Sequence, residues 1–247
     1  MISTARSALA SRILPLIDLT NLSDDCDAKQ IDALVAAASL PEGHVAALCV
    51  WPRFVRAAAD GVAGTDIAVA TVVNFPGGDE SLTSVLTIVE QALGDGAGEI
   101  DLVLPYRDFL AGDEAGCREM IAGVRSVMPD QAHLKVILES GALADGSVIA
   151  RASLLALECG ANFLKTSTGK FPTGATLTAA ETMLSVLRDV EKPGGFKASG
   201  GISSLENAAE YLACADAIMG PDWVCPDNFR FGASSLLADV RAGLAGV

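Results

Sequence analysis

Ala161-Asn162-Phe163-Leu164-Lys165-Thr166-Ser167-Thr168-Gly169-Lys170 is a short apolar run that passes straight into a polar, glycine-bearing loop. Gly195-Phe196-Lys197-Ala198-Ser199-Gly200-Gly201 repeats the arrangement further on, and an amphipathic stretch over 177–190 lies between the two. Strand, loop, helix and strand in that order make a βαβ unit, which implies a parallel sheet. The same rhythm extends in both directions. Candidate strands are Ile13–Ile17, Val45–Trp51, Ile67–Val73, Glu99–Leu104, His133–Leu138, Asn162–Thr166, Gly195–Ala198 and Ala215–Met219. Candidate helices fill 27–39, 54–63, 80–95, 107–128, 143–158, 177–190, 204–213 and 234–244, with Ser81 and the Ser204-x-x-Asn207 stretch as caps. Eight of each in 247 residues predict a (β/α)8 TIM barrel, with 1–247 as a single domain. An open doubly wound sheet would prefer a Gly-x-Gly-x-x-Gly turn after the first strand, and Asp18-Leu19-Thr20-Asn21 does not supply one.

The composition narrows the function. Hydrophobic residues make up 51% and charged residues 19%, enough for a sizeable core. A net charge of -14 argues against nucleic acid and anionic membranes as partners. Any phosphate must then be held by local backbone N–H groups and a few cations. No long uninterrupted apolar run is present, and Met1-Ile2-Ser3-Thr4-Ala5-Arg6 lacks the apolar core of a secretory signal, so a cytoplasmic protein is expected. The six cysteines show no Cys-x-x-Cys spacing and are expected to be reduced and mostly buried.

In a barrel the active site lies at the C-terminal ends of the strands. Asp18, Asp101, Lys135, Glu139, Lys165 and Lys197 all fall at or near those ends and are expected to converge in one mouth. Alternation along a strand places Lys135, Ile137 and Glu139 on one face. A lysine closing a buried strand is costly unless it has a partner or a task. Lys135 reads as a structural ion-pair member with Asp18, Asp101 or Glu139. Lys165 and Lys197 adjoin polar loops, and as neighbours they would lower each other's pKa by like-charge repulsion. That makes an amine nucleophilic near neutral pH, and imine formation with a carbonyl substrate is the chemistry it suits.

Gly169-Lys170, Gly200-Gly201 and Gly232-Ala233-Ser234-Ser235 follow the last strands. Singly they read as turn glycines and a helix-capping serine. Together they favour a phosphate site, since barrels hold phosphate with late loops and a helix N-terminus. His44 and His133 lack ligand-spaced partners, so no metal is expected. Asp24-Asp25-x-Asp27 lacks the glycine and terminal glutamate of a calcium loop and reads as a helix N-cap.

From about Ile13 to Leu244 the chain resembles the deoxyribose-phosphate aldolases, class I aldolases built on a (β/α)8 barrel. The resemblance is carried by Leu16-Ile17-Asp18-Leu19-Thr20, Cys49-Val50-Trp51-Pro52-Arg53, Thr71-Val72-Val73-Asn74-Phe75-Pro76, Glu99-Ile100-Asp101, Lys135-Val136-Ile137-Leu138-Glu139 and the two lysine segments. It implies Lys165 as the Schiff-base lysine and Lys197 as the lysine that perturbs it. It implies Asp101 as an acid/base group working through an ordered water. Gly169, Lys170, Gly200, Gly201, Ser234 and Ser235 match the family's phosphate pocket. The implied reaction is reversible cleavage of 2-deoxy-D-ribose 5-phosphate to D-glyceraldehyde 3-phosphate and acetaldehyde, in deoxyribonucleotide catabolism and with no cofactor. A homodimer is one expectation for its assembly.

The chain also departs from the family. Ser203 stands where many members carry an arginine, and Gly98 where an aspartate is common. No tyrosine follows Tyr211, so proton transfer to the enamine is expected either to be slower or to rest wholly on Asp101 and water. Two other readings stay open: a Schiff-base aldolase for a different or unphosphorylated sugar, and an inactive barrel that senses sugar phosphates.

Overall fold

The computed structural model describes residues 2–190 and 194–246. Its centre is a closed barrel of eight parallel strands: β1 (Ile17–Asn21), β2 (Ala47–Val50), β3 (Ala68–Val73), β4 (Glu99–Val103), β5 (His133–Ile137), β6 (Phe163–Lys165), β7 (Gly195–Ser199) and β8 (Phe229–Ala233). Each strand pairs with the next, and β8 closes on β1 through Ile17 opposite Phe231. The connecting helices pack outside the barrel over one continuous apolar layer. The fold is the TIM barrel expected from the strand–helix rhythm.

Local chemistry sets the helix starts. Asp27 accepts from the Gln30 N–H while the Gln30 side chain accepts from the Asp27 N–H, a full capping box on Ala28–Ala37. Ser81, Asp113, Asp145, Thr176 and Ser204 cap the later helices in the same way with their side-chain oxygens. The stretch 107–128 is two helices, Tyr106–Leu110 and Glu114–Val127. Gly112 sits between them at φ +95, where the backbone leaves the helical region.

Two expected strands lie elsewhere. Ile13–Ile17 is the end of a helix (Ile2–Ile13) followed by a tight turn over Leu14–Leu16, and β1 starts only at Ile17. Pro15 lies in the first positions of that turn, where its fixed φ and missing N–H are harmless. Asp18 is therefore the second residue of its strand and not its end. Ala215–Met219 is the last turn of the helix Leu205–Met219. Its buried residues Leu205, Ala208, Tyr211, Leu212 and Ala215 keep helical spacing throughout. The true eighth strand is Phe229-Arg230-Phe231-Gly232-Ala233, a short run interrupted by Arg230 and Gly232.

The barrel interior has two halves. Cys49 on β2 and Ala70 and Val72 on β3 form a small apolar patch capped by Trp51 and Phe75. Charged side chains from β1 and β4 to β8 fill the rest.

Candidate active site

Lys165 and Lys197 lie directly opposite each other on β6 and β7, and Arg230 lies opposite Lys197 on β8. Lys135 lies opposite Asp101 across β5 and β4. The parallel register thus brings four cationic side chains into the barrel, where three carboxylates meet them: Asp18, Glu99 and Asp101. All seven are buried. Gly232 makes room for this packing, because a Cβ there would sit 2.9 Å from Lys197 Cε.

Asp101 is the hub. Its Oδ2 accepts from both Lys165 Nζ and Lys197 Nζ at 2.8 Å, and its Oδ1 accepts from Lys135 Nζ at 3.0 Å. Lys197 Nζ also pairs with Asp18 Oδ2. Lys135 Nζ pairs with Glu99 and lies 3.7 Å from Asp18. Among the described residues Lys165 pairs with Asp101 alone.

That difference in partners sets the charges. For Lys197, burial opposes the proton, but Asp101 and Asp18 outweigh it and the pKa is raised. Lys135 is raised in the same way by Asp101, Glu99 and Asp18. For Lys165, burial lowers the pKa, Asp101 opposes it, and the charge of Lys197 adds to the lowering, so the net shift is downward. The expectation that Lys165 and Lys197 depress each other therefore holds for one of the pair. Lys197 holds its proton the more firmly, and Lys165 is the member of the pair that gives it up more readily. Burial works against charge on Asp101, but Lys135, Lys165 and Lys197 hold its carboxyl well below the usual range.

Glu139 is not a partner of Lys135. The strand stops at Ile137, and Glu139 adopts a left-handed backbone at φ 54 that breaks the alternation. Its Oε2 accepts instead from the Thr168 hydroxyl at 2.5 Å and the Thr168 N–H at 3.3 Å, which ties down the loop after β6. Burial raises the Glu139 pKa despite these bonds.

Next to the charged cluster is a cavity of about 680 Å³. Gly169, Lys170, Gly200, Gly201, Ser234 and Ser235 line it, so all six expected phosphate-loop residues share one space. Gly200 and Gly201 have φ of +92 and +88. Ser235 precedes the helix Leu236–Leu244 and makes no side-chain cap, so the first-turn N–H groups keep no side-chain partner. Lys170 Nζ is shared with Asp24 at 3.2 Å. The loops after β6 and β7 touch backbone to backbone. Ala175 N–H donates to Gly200 O at 3.0 Å, and a Cβ on Gly174 would collide with that oxygen.

Two buried members of the cluster, Arg230 and Glu99, are absent from the set expected on sequence grounds. Glu99 has a signal: it is two residues before Asp101 on the same strand and hence on the same face. Arg230 is hidden with its strand. Of the thiols expected to be mostly buried, Cys26, Cys49 and Cys117 are; Cys159, Cys214 and Cys225 are half-buried.

A profile of the DeoC/LacD family aldolases matches residues 12–242. The chain is 52% identical to a deoxyribose-phosphate aldolase of Agrobacterium fabrum over 239 residues, 96% of this chain and 92% of that one. A Toxoplasma gondii crystal structure, provisionally named a deoxyribose-phosphate aldolase, superposes with a TM-score of 0.89 at 29% identity. That match covers 99% of this chain and 98% of the other. A tetrameric deoxyribose phosphate aldolase from Aeropyrum pernix gives 0.78 at 25% identity, covering 98% and 93%.

Proposed function

The chain belongs to the DeoC/LacD family of aldolases, and we propose that it acts as a deoxyribose-phosphate aldolase with Lys165 as the nucleophile. It cleaves 2-deoxy-D-ribose 5-phosphate reversibly to D-glyceraldehyde 3-phosphate and acetaldehyde. One observation carries the choice of lysine. Lys165 alone among the three barrel lysines has a single carboxylate partner and a lowered pKa, and it alone keeps some exposure, 2% against 0% for the others.

The neutral Lys165 amine attacks the C1 aldehyde, and loss of water leaves an iminium. The positive nitrogen withdraws electrons, so the C2–C3 bond breaks as the C3 hydroxyl gives up its proton. The enamine that remains is protonated at carbon and hydrolysed to acetaldehyde and free Lys165. Asp101 is one hydrogen bond from the reacting nitrogen, placed to carry protons to and from it. Its depressed pKa also makes it a stable counter-ion for the iminium. Lys197, with its proton firmly held, lowers the pKa of the neighbouring amine and so favours its neutral form. Glu139 fixes Thr168 at the cavity wall. The setting we propose is the cytoplasm, which suits six free cysteines.

Acetaldehyde with borohydride tests the assignment. Reduction of the imine leaves a stable ethyl group, and peptide mapping should find it on Lys165. Label on Lys197 or Lys135 with Lys165 clean would overturn it.

The cavity holds the 5-phosphate, with backbone N–H groups of the glycine loops, the N-terminus of Leu236–Leu244 and Lys170. A charge-assisted hydrogen bond is worth about 1.5–3 kcal/mol. At about 1.4 kcal/mol per tenfold, Lys170→Ala should reduce the kcat/KM preference for deoxyribose 5-phosphate over deoxyribose by roughly one to two orders of magnitude. Ser203 also lines the cavity. Ser203→Arg adds a formal cation there and should strengthen the preference. The measurement is the ratio of specificity constants in wild type and both variants. A wild type that prefers the free sugar would move the assignment to an aldolase for unphosphorylated substrates.

A further inference from the structure

Arg230 and Glu99 line neither the cavity nor the reacting amine, yet they are wired into the same buried cluster. Arg230 Nη1 donates to Asp18 Oδ1 at 2.7 Å, and its Nη2 donates to Glu99 Oε1 at 3.1 Å. Glu99 Oε2 accepts from Lys135, and His133 Nδ1 lies 3.6 Å from Glu99 on the more open side. The chain of contacts then runs from Asp18 to Lys197 and from Lys135 to Asp101, and ends at Lys165.

The charges in this cluster can be counted. Within the set joined by direct ion pairs, with Lys165 protonated there are four cations, Lys135, Lys165, Lys197 and Arg230, against three anions, Asp18, Glu99 and Asp101. Glu139 stands outside this set and accepts from Thr168 instead. With Lys165 neutral the two sides match. A charge removed from water needs a partner, so a buried cluster of this kind favours the balanced state. The proton is given up by the least-paired member. Lys135 faces three carboxylates and Lys197 two, whereas Lys165 faces one. Arginine cannot yield its proton in a protein, so the charge of Arg230 is permanent.

We propose that Arg230 and Glu99 are positioning residues for the reaction: acting through Asp18, Lys197, Lys135 and Asp101, they fix the count of buried charges that leaves Lys165 without its proton. This rests on the Schiff-base role of Lys165. The groups facing that amine are Asp101 from β4, Lys197 from β7, Cys49 from β2 and Glu139 from the loop after β5. None of these is altered by changes at Arg230 or Glu99, so the two ends of the chain can be tested separately from its centre.

The test is the pH dependence of borohydride-trapped imine formation from acetaldehyde in wild type, Arg230→Met, Glu99→Gln and the double variant. Wild type comes first. If its label is not on Lys165, the functional reading fails and the variants do not bear on it. With label on Lys165, Arg230→Met leaves two cations against three anions, and Lys165 should keep its proton to restore the balance. Its acid limb should move to higher pH, with a loss at pH 7 of about tenfold or more that higher pH recovers, since one pKa unit is tenfold in neutral amine. Glu99→Gln removes an anion and should move the limb to lower pH. The double variant, balanced at two against two, should return towards wild type. A wild-type limb in Arg230→Met, or shifts of the same sign in both single variants, overturns the proposal. If Arg230→Met does not fold by circular dichroism, Glu99→Gln and the double variant decide, and an unmoved limb in Glu99→Gln overturns it.

Discussion

Lys197→Leu should lower activity at pH 7 by at least a few hundredfold, and raising the pH should restore part of it. The side chain is wholly buried between Asp101 and Asp18, opposite Lys165. Its charge is one of the influences that lower the Lys165 pKa, so its removal lets that pKa rise. The direction follows from the reactive form. The amine attacks when neutral, and the neutral fraction grows as pH rises through the folded-state pKa. A raised pKa therefore moves the acid limb of kcat/KM to higher pH, at about tenfold per unit. Impaired proton transfer, worth roughly 10²–10⁴-fold when a positioned group is lost, adds to the deficit. The measurement is kcat/KM against pH for both proteins. A variant with a wild-type limb would show that Lys197 does not tune the nucleophile.

Asp101→Asn has an effect of similar or greater size and the opposite signature. Three lysines donate to this one carboxylate. The amide cannot exchange protons with the Lys165 nitrogen, so kcat should fall about 10²–10⁴-fold. Asp101 also opposes the lowering of the Lys165 pKa. Without it the amine is neutral at still lower pH, so the acid limb should move down while the whole profile sinks. Stability should fall as well, by about 3–5 kcal/mol, because removing one partner leaves buried cations short of charge. Urea denaturation and the pH profile together check this. A limb that moves up would contradict the assigned roles.

Much of this site is legible in the amino-acid sequence alone. Lys165 and Lys197 stand out because buried apolar strands do not carry lysine without reason, although only Lys165 ends its strand and Lys197 is the middle residue of β7. The glycine and serine loops after them mark the same end of a barrel. Strands β2 to β7 are readable because their outward faces are largely apolar, even where β4, β5 and β7 carry charged residues on the inward face. The same criterion fails at the two ends of the chain. Ile13–Ile17 is wholly apolar and Ala215–Met219 is apolar apart from Asp216, but Pro15 opens a turn in the first and helical spacing continues through the second. The real last strand is short and holds Arg230 and Gly232, so it stands out less than the stretch 215–219 ahead of it; in the barrel Asp18 and Glu99 meet its charge. The unequal behaviour of Lys165 and Lys197 is likewise out of reach of a linear reading. It depends on how many carboxylates each reaches across the barrel, which is a property of eight strands and not of either segment. Glu139 departs from its expected face for a local reason, the left-handed turn two residues beyond the strand.

The contact between Gly174 and Gly200 has a bearing on redesign. The two loops meet with bare backbone on both sides, and no side chain larger than hydrogen fits at Gly174 without displacing its neighbour. Neither loop is a free module. Grafting the β6 loop of another barrel without its β7 loop would push Gly200 and Gly201 out of the cavity wall, and the damage would be felt in a segment that had not been changed. New substrate ranges on this scaffold are accordingly to be sought by exchanging both loops as a matched pair, or by substitutions at positions such as Ser203 that lie outside the seam.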